Sequence, residues 1–419
     1  MRILINAVVI GLVVTVAAAS PVRLAAQAPA AAGDMFDEWN QQAVRSIVTV
    51  AGYNPPVGNI HMAIVHLAVY DAAVSVTGRY TPYNAVPASP GGSIDAAVAT
   101  AAHDVLVGLF PAQKTDLDAR LTSTLVRVAD GRSKNTGMVA GARAADAMLK
   151  ARAGDGRFAT IPYTPGTLPG MWAPTPPAFA AYVFPWIGSV KPFGIRFPSQ
   201  FRPPGPPAME SAKYAEEFNE VKRVGARQST ARTAEQREIG MFWTDNPTRQ
   251  WSSTLLAIAR SRGMSLSEKA RLFATLWTSV ADTHIGCWNA KGYYSFWRPS
   301  EAIRRADLDG NPATEADPTW EPLVPNPPYP DYPSGHICFD AAVAEVVDSY
   351  FGTTVPLAVD SLVTNTTRRF AGAGEVVKEV IEARIYIGIH FRSADVDSAP
   401  LGRRTARYIL DRYFLPVPR

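Results

Sequence analysis

Thirteen prolines fall between Asp155 and Pro207 and cut the chain in two. Proline fixes φ and has no backbone N–H, so no regular helix can run through such a stretch. The same segment carries Trp172, Phe184, Trp186, Phe193, Phe197 and Phe201. Disordered linkers are poor in aromatic residues, which gain most from burial. Residues 155–207 are therefore expected to form an ordered, extended arm packed on neighbouring helices. The arm separates an N-terminal half, 29–154, from a C-terminal half, 208–419, and no sequence repeat relates the two.

Both halves carry a helical period. Residues 35–50, 61–77, 94–109, 112–129 and 135–153 each place their apolar side chains on one helical face. Two later helices open on capping boxes, Thr233 with Gln236 and Ser265 with Glu268. In each, the hydroxyl and the side chain three residues on satisfy N–H groups that a helix start leaves free. The second helix is expected to run from Leu266 to about Lys291. No segment sustains strict alternation, so a large β-sheet is not expected. The expected fold is all-α, two helical bundles side by side.

The N-terminus reads as a targeting segment. Arg2 precedes an apolar run, Ile3 to Ala19, and Ala26-Gln27-Ala28 offers small residues at a cleavage site. Residues 1–28 are expected to be a signal peptide and the protein to be exported, periplasmic or secreted. Beyond it the best apolar run, Met62 to Val76, is interrupted by His66 and Asp71. No membrane span is expected in the mature chain. With 41 basic and 37 acidic residues the net charge is only +4. That small excess, with no basic run interleaved with aromatics, argues against nucleic acid as a partner. Two cysteines, Cys287 and Cys338, are too few for a disulfide scaffold or a four-thiolate zinc site.

Three short segments concentrate chemistry. Lys291-Gly-Tyr-Tyr-Ser-Phe-Trp-Arg298-Pro299 holds two cations seven residues apart, which a helix would place on one face. Pro299 disfavours helix at Arg298, so the chain is expected to turn there. Pro333-Ser334-Gly335-His336 lies between a loop, Tyr329 to Tyr332, and an apolar-periodic run, Ile337 to Phe351. A loop entering a helix in this way presents free N–H groups and the positive end of the macrodipole, which attract an anion. Gly335 permits close backbone approach, and the Ser334 hydroxyl adds a donor. In the third segment, Arg384-Ile-Tyr-Ile-Gly-Ile-His390, arginine supplies a planar fork for oxyanions and histidine a nucleophile or ligand nitrogen.

In order and internal spacing the three segments resemble the signature of the superfamily of vanadium-dependent haloperoxidases and type 2 phosphatidic acid phosphatases. The signature spans Lys291 to His390, about a quarter of the chain, and the helical N-terminal half resembles the bacterial haloperoxidase-like branch. The resemblance implies that Lys291, Arg298 and Arg384 neutralise the oxygens of phosphate or vanadate. It implies that Ser334 and the Gly335 amide donate to them, that His390 is the nucleophile or vanadate ligand, and that His336 is the acid–base. Vanadate adopts the shape of a phosphoryl-transfer transition state, so one set of donors serves both chemistries. The first implied function is halide oxidation by hydrogen peroxide at a His-bound vanadate. The alternative is an exported acid phosphatase that takes phosphate esters through a phosphohistidine and needs no cofactor.

One departure concerns His390. The phosphatase form of the signature has Asp four residues after the last His, where this chain has Ala394 with Asp395 next. Orientation of His390 is then expected from Asp395 or a backbone group. Trp288 is similar to a tryptophan near the halide in chloroperoxidases, and Tyr329 stands at a position that varies between the peroxidase types. Asp245 resembles an acid that bonds the acid–base histidine, after a shift of one residue. His284 shares the stripe of Trp288 and Lys291, at spacings of four and three, as a pocket residue or a satisfied core histidine. His61, His66 and His103 show no partner spacing and read as structural. If the segments converge, Cys287 and Cys338 come close enough for a disulfide, which export would favour.

Overall fold

A computed structural model describes residues 33–418. The expected signal peptide lies outside the described residues, apart from which the chain from Asp34 on forms one compact unit. Fourteen α-helices account for most of it: α1 Met35–Val44, α2 Pro55–Thr77, α3 Ile94–Leu109, α4 Lys114–Leu125, α5 Arg132–Ala151, α6 Ala212–Val224, α7 Ala234–Phe242, α8 Pro247–Ser261, α9 Leu266–Tyr294, α10 Pro299–Arg304, α11 Gly335–Phe351, α12 Ala373–Tyr386, α13 Arg392–Val396 and α14 Ser398–Leu410. Both expected capping boxes are formed, at the starts of α7 and α9.

Two helices organise the rest. α2 packs on α3 and α5 in the N-terminal half, and α11 and α14 pack on α9 in the C-terminal half. α2 lies directly against α9, so one apolar core runs through both halves. α2 is apolar and long enough to cross a membrane, yet it is buried inside the protein. Its Asp71 is satisfied there by the backbone N–H groups of Tyr83 and Asn84 and the Asn84 amide. His66, buried against Phe36, Phe273 and Trp277, has its pKa lowered by burial to about 3 and is neutral. His61 bonds the Val57 carbonyl and His103 lies between Asp104 and Asp118, consistent with structural roles.

The proline-rich arm packs through part of its aromatic set, with Trp186 and Phe193 buried and Phe197 exposed. Trp172 is fully buried, and a short 3-10 turn at Pro185–Ser189 packs on α9. What pins the arm is a residue the sequence did not single out. Asp282, fully buried in α9, accepts the backbone N–H groups of Phe193, Gly194 and Ile195 at 2.6, 2.7 and 2.8 Å.

The one sheet among the described residues is a hairpin, β1 Leu357–Ser361 paired antiparallel with β2 Thr366–Phe370. β1 alternates buried and exposed positions, but five residues are too short to outweigh the helical period around them. Lys291 and Arg298 do not share a helix. α9 ends at Tyr294, with Ser295 left-handed at φ 46°, and Arg298 is the residue before α10.

Replacing Asp282 with Ala is expected to strand three buried donors and lower the free energy of unfolding by about 3 kcal/mol. It should also speed tryptic cleavage after Arg196. Urea titration and limited proteolysis measure both; unchanged values would mean that the arm is held elsewhere.

Candidate functional site

The three signature segments converge. α9 brings Trp288, His284 and Lys291; the turn after it brings Arg298; the loop 329–334 brings Tyr329 and Ser334; α11 opens with Gly335 and His336; α12 carries Arg384, and the chain just beyond it His390. His284, Trp288, Tyr329, Gly335, His336, Arg384 and His390 line one pocket of about 400 Å³. Lys291, Arg298 and Ser334 lie wholly buried beside these residues.

Local sequence explains the placement. Ser334 caps α11 without using its hydroxyl on the helix, and only the Asp395 carboxyl lies near that hydroxyl. A Cβ at Gly335 would stand 3.1 Å from the Trp288 ring, so glycine is what lets the helix start approach α9. Gly388, at φ 79°, reverses the chain after α12 and sets His390 beyond the helix that carries Arg384. A side chain at Gly388 would meet the Gly225 carbonyl at 2.4 Å.

The cations are aimed by backbone carbonyls. Lys291 Nζ donates to Pro330 and Asp331 oxygens at 2.7 and 3.0 Å. Arg298 Nε donates to the Tyr329 oxygen at 2.9 Å and Nη1 to the Ile389 oxygen at 2.7 Å. Arg384 Nη1 donates to the Trp243 oxygen at 3.0 Å. After these contacts Arg298 Nη2, Arg384 Nε, Ser334 Oγ and His336 Nε2 remain buried without a partner. Buried polar groups are rarely left so; His336 Nε2 has Asp340 Oδ2 3.6 Å away, and the other three donors mark a place for an external acceptor.

Burial and neighbouring charge shape the titration. Burial lowers the Lys291 pKa to about 8, partly offset by Cys287 and Asp331. Burial and the nearby cations hold His336 and His390 well below the usual imidazole range, so both are neutral in the empty site. A neutral imidazole is the form that offers a lone pair.

Two acids missing from the sequence reading stand behind the histidines. Asp331 Oδ1 is 2.7 Å from His390 Nδ1 and 3.6 Å from Arg298 Nη1. Asp340, one turn after His336 on α11, has Oδ2 3.6 Å from His336 Nε2, while Oδ1 accepts Trp251 Nε1 at 2.7 Å. Burial raises each carboxyl to about 7. Asp340 had a legible signal in its spacing of four from His336. Asp331 had none beyond its place in the loop, since proximity to His390 depends on the tertiary fold.

Several expectations need correction. Asp245 does not bond His336: its carboxylate is taken by Arg249 and by the Leu362 N–H, which fixes the turn into α8. The carbonyl of Trp243, two residues earlier, reaches the site instead. The acid against His390 is Asp331 and not Asp395, which lies near Ser334 with its carboxyl pushed well up by burial. His284 lines the pocket and is also satisfied: Nε2 is 3.3 Å from the Gly335 oxygen and Nδ1 3.2 Å from Asn59 Nδ2. Cys287 and Cys338 meet as expected but are free thiols, with Cys287 Sγ 3.7 Å from the Pro333 oxygen.

Residues 271–415 match the family described as the VCPO second helical-bundle domain. The vanadium chloroperoxidase of Curvularia inaequalis is 27% identical over 44% of this chain, and the match spans only 41% of that relative. The fold is also that of a bacterial vanadium-dependent iodoperoxidase, at TM-score 0.80 and 22% identity, covering 92% of this chain and 97% of that one. A bacterial vanadium-dependent chloroperoxidase in its holo form gives TM-score 0.72 and 16% identity over 92% and 98% of the two chains.

Calorimetric titration with orthovanadate is expected to show one site per chain, with orthophosphate competing. R384A should weaken it about 30-fold and S334A about tenfold, the range for hydrogen bonds to charged groups. Wild-type affinity in R384A would contradict the convergence of donors.

Proposed function

We propose that this chain, whose residues 271–415 match the VCPO second helical-bundle domain, is a vanadium-dependent haloperoxidase, oxidising halide with hydrogen peroxide. The observation that carries this reading is the set of unpartnered buried donors on Arg298, Arg384 and Ser334 beside a pocket whose other walls are mostly apolar. These donors suit vanadate: they are positive or neutral, buried, and drawn from separate segments, which is what a multiply charged oxyanion needs.

Vanadate, when bound, supplies an electrophilic centre at which peroxide is activated. The residues do the rest. Lys291, Arg298 and Arg384 hold the oxyanion and neutralise its charge. The neutral His390 would offer Nε2, which lies 3.2 Å from Arg298 Nη1, with Asp331 close against Nδ1. His336, which faces the pocket, takes and returns the proton of peroxide, and Asp340 positions it from behind. Trp288 and Tyr329, ring centroids 5.2 Å apart, give the halide a weakly hydrated place. Lys291 Nζ lies 5.1 Å from the Tyr329 ring centre, so that place is also electropositive.

A phosphatase is the second reading, and Asp331 favours it. A carboxylate against Nδ1 would strengthen His390 as a nucleophile toward phosphorus. The apolar pocket walls weigh the other way, because they offer little to water.

Metal-free protein given vanadate, peroxide and bromide is expected to gain bromide oxidation, and H390A to show none. Vanadate that only inhibits a vigorous phosphate-ester hydrolysis would make the protein a phosphatase. D340N is expected to cut kcat about tenfold while vanadate affinity stays the same, as for a group that acts through another. Equal loss in vanadate affinity would make Asp340 merely structural.

A further inference from the structure

Gly335 is the weak joint of the oxyanion site. It opens α11, where the first N–H groups have no partner inside the helix and are free to face an anion. Without a Cβ it can also rotate its peptide units into conformations that other residues avoid. A rotation of the unit that joins it to His336 would turn the His336 N–H out of the helix direction.

What opposes that rotation comes from outside α11. The Gly335 oxygen lies 3.3 Å from His284 Nε2, on α9. His284 Nδ1 lies 3.2 Å from Asn59 Nδ2, on α2, and Asn59 Oδ1 accepts the hydroxyl of Thr248, on α8, at 2.7 Å. Asn59, Thr248 and His284 are all buried, so solvent does not compete for these bonds.

The chemistry of the groups gives this chain one direction. With Oδ1 taken by Thr248, the Asn59 NH2 faces His284, and an amide NH2 only donates. His284 Nδ1 must therefore accept. Burial lowers the His284 pKa to about 4, so the ring is neutral and its single proton sits on Nε2, aimed at the Gly335 carbonyl. Every donor in the relay meets an acceptor, and bonds in such a chain strengthen one another. The imidazole is also held edge-on to Trp288 and stacked on Phe339, at centroid distances of 5.5 and 5.9 Å. Both its nitrogens are engaged, so it lines the pocket without acting there as acid or base.

We propose that this relay is a latch: Asn59 and Thr248, through His284, hold the Gly335 peptide in the orientation that receives the oxyanion. All three are positioning residues, and none donates to the anion. The inference rests on the oxyanion site of the proposed function and holds whether that site oxidises halide or hydrolyses a phosphate ester. It gives the N-terminal half a part in binding, because a side chain of α2 sets how well the helix start is preorganised.

Orthophosphate affinity by calorimetry reads the latch, with thermal unfolding followed beside it. H284F keeps a ring between Trp288 and Phe339 but loses the donor to Gly335; it should weaken orthophosphate about tenfold, as for one lost buried hydrogen bond. N59A and T248V, one and two bonds further back, should each weaken it about threefold, and T248S should keep the wild-type affinity. In an H284F background N59A should weaken it no further, because Asn59 acts only through His284. Long-range proton–nitrogen NMR of the wild type should find the His284 proton on Nε2. A lower unfolding temperature with unchanged orthophosphate affinity in these variants would mean plain scaffolding and overturn the proposal. So would a proton on Nδ1, or an equal loss from N59A with and without His284. Wild-type protein that binds no orthophosphate would overturn the oxyanion site and the latch together. The expected affinity pattern without any halide oxidation would overturn the haloperoxidase reading and leave the latch standing.

Discussion

Three cations taken out of water set the terms for the rest of the structure. Lys291 and Arg298 are fully buried and Arg384 nearly so. Removing one ion from water costs several kcal/mol unless close partners replace the lost hydration. Partial replacement comes from five carbonyls, those of Tyr329, Pro330, Asp331, Ile389 and Trp243, and from the carboxylate of Asp331. The replacement stops short of completion, and the donors left over all belong to one site. An anion placed there would finish the solvation of the cations while being held by them.

The helical architecture supports that arrangement at a distance. His284 on α9 reaches the Gly335 carbonyl; Asn59 on α2 reaches His284, and Thr248 on α8 donates to Asn59 at 2.7 Å. The helix start at Gly335 is thus braced by both halves of the chain. The N-terminal half supplies no signature residue, yet it supplies Asn59 and the pocket wall at Pro55. The arm closes another side, pinned by Asp282 a little over two turns before Lys291 on α9. The parts of the sequence that look like scaffolding therefore shape what enters the site and how rigidly its floor is held.

Local signals proved readable where they are self-contained. The capping boxes at Thr233 and Ser265 and the span of α3 follow from chemistry within a few residues, whereas the seven signature positions stand out only by their joint resemblance to a family. Failures come where a partner is chosen by tertiary packing. Asp245 resembled an active-site acid by position, but Arg249 lies one helical turn on and claims it. Asp331 reads as a loop acid and becomes the neighbour of His390 only once α12 and the reversal at Gly388 are built. The thiols of Cys287 and Cys338 were expected to meet because Lys291 and His336 converge, and they do; their redox state is not a matter of proximity.

The central claim is that the incompletely satisfied donors of Arg298, Arg384 and Ser334 together form one oxyanion site closed by His390. A crystal structure of the protein grown with orthovanadate tests it most directly. The account predicts density for a single anion in the pocket, its centre at bonding distance from a ring nitrogen of His390. Its oxygens should lie within about 3 Å of Arg298 Nη2, Arg384 Nε and Ser334 Oγ. An empty pocket at saturating vanadate, or an anion bound where it touches none of these donors, would contradict it.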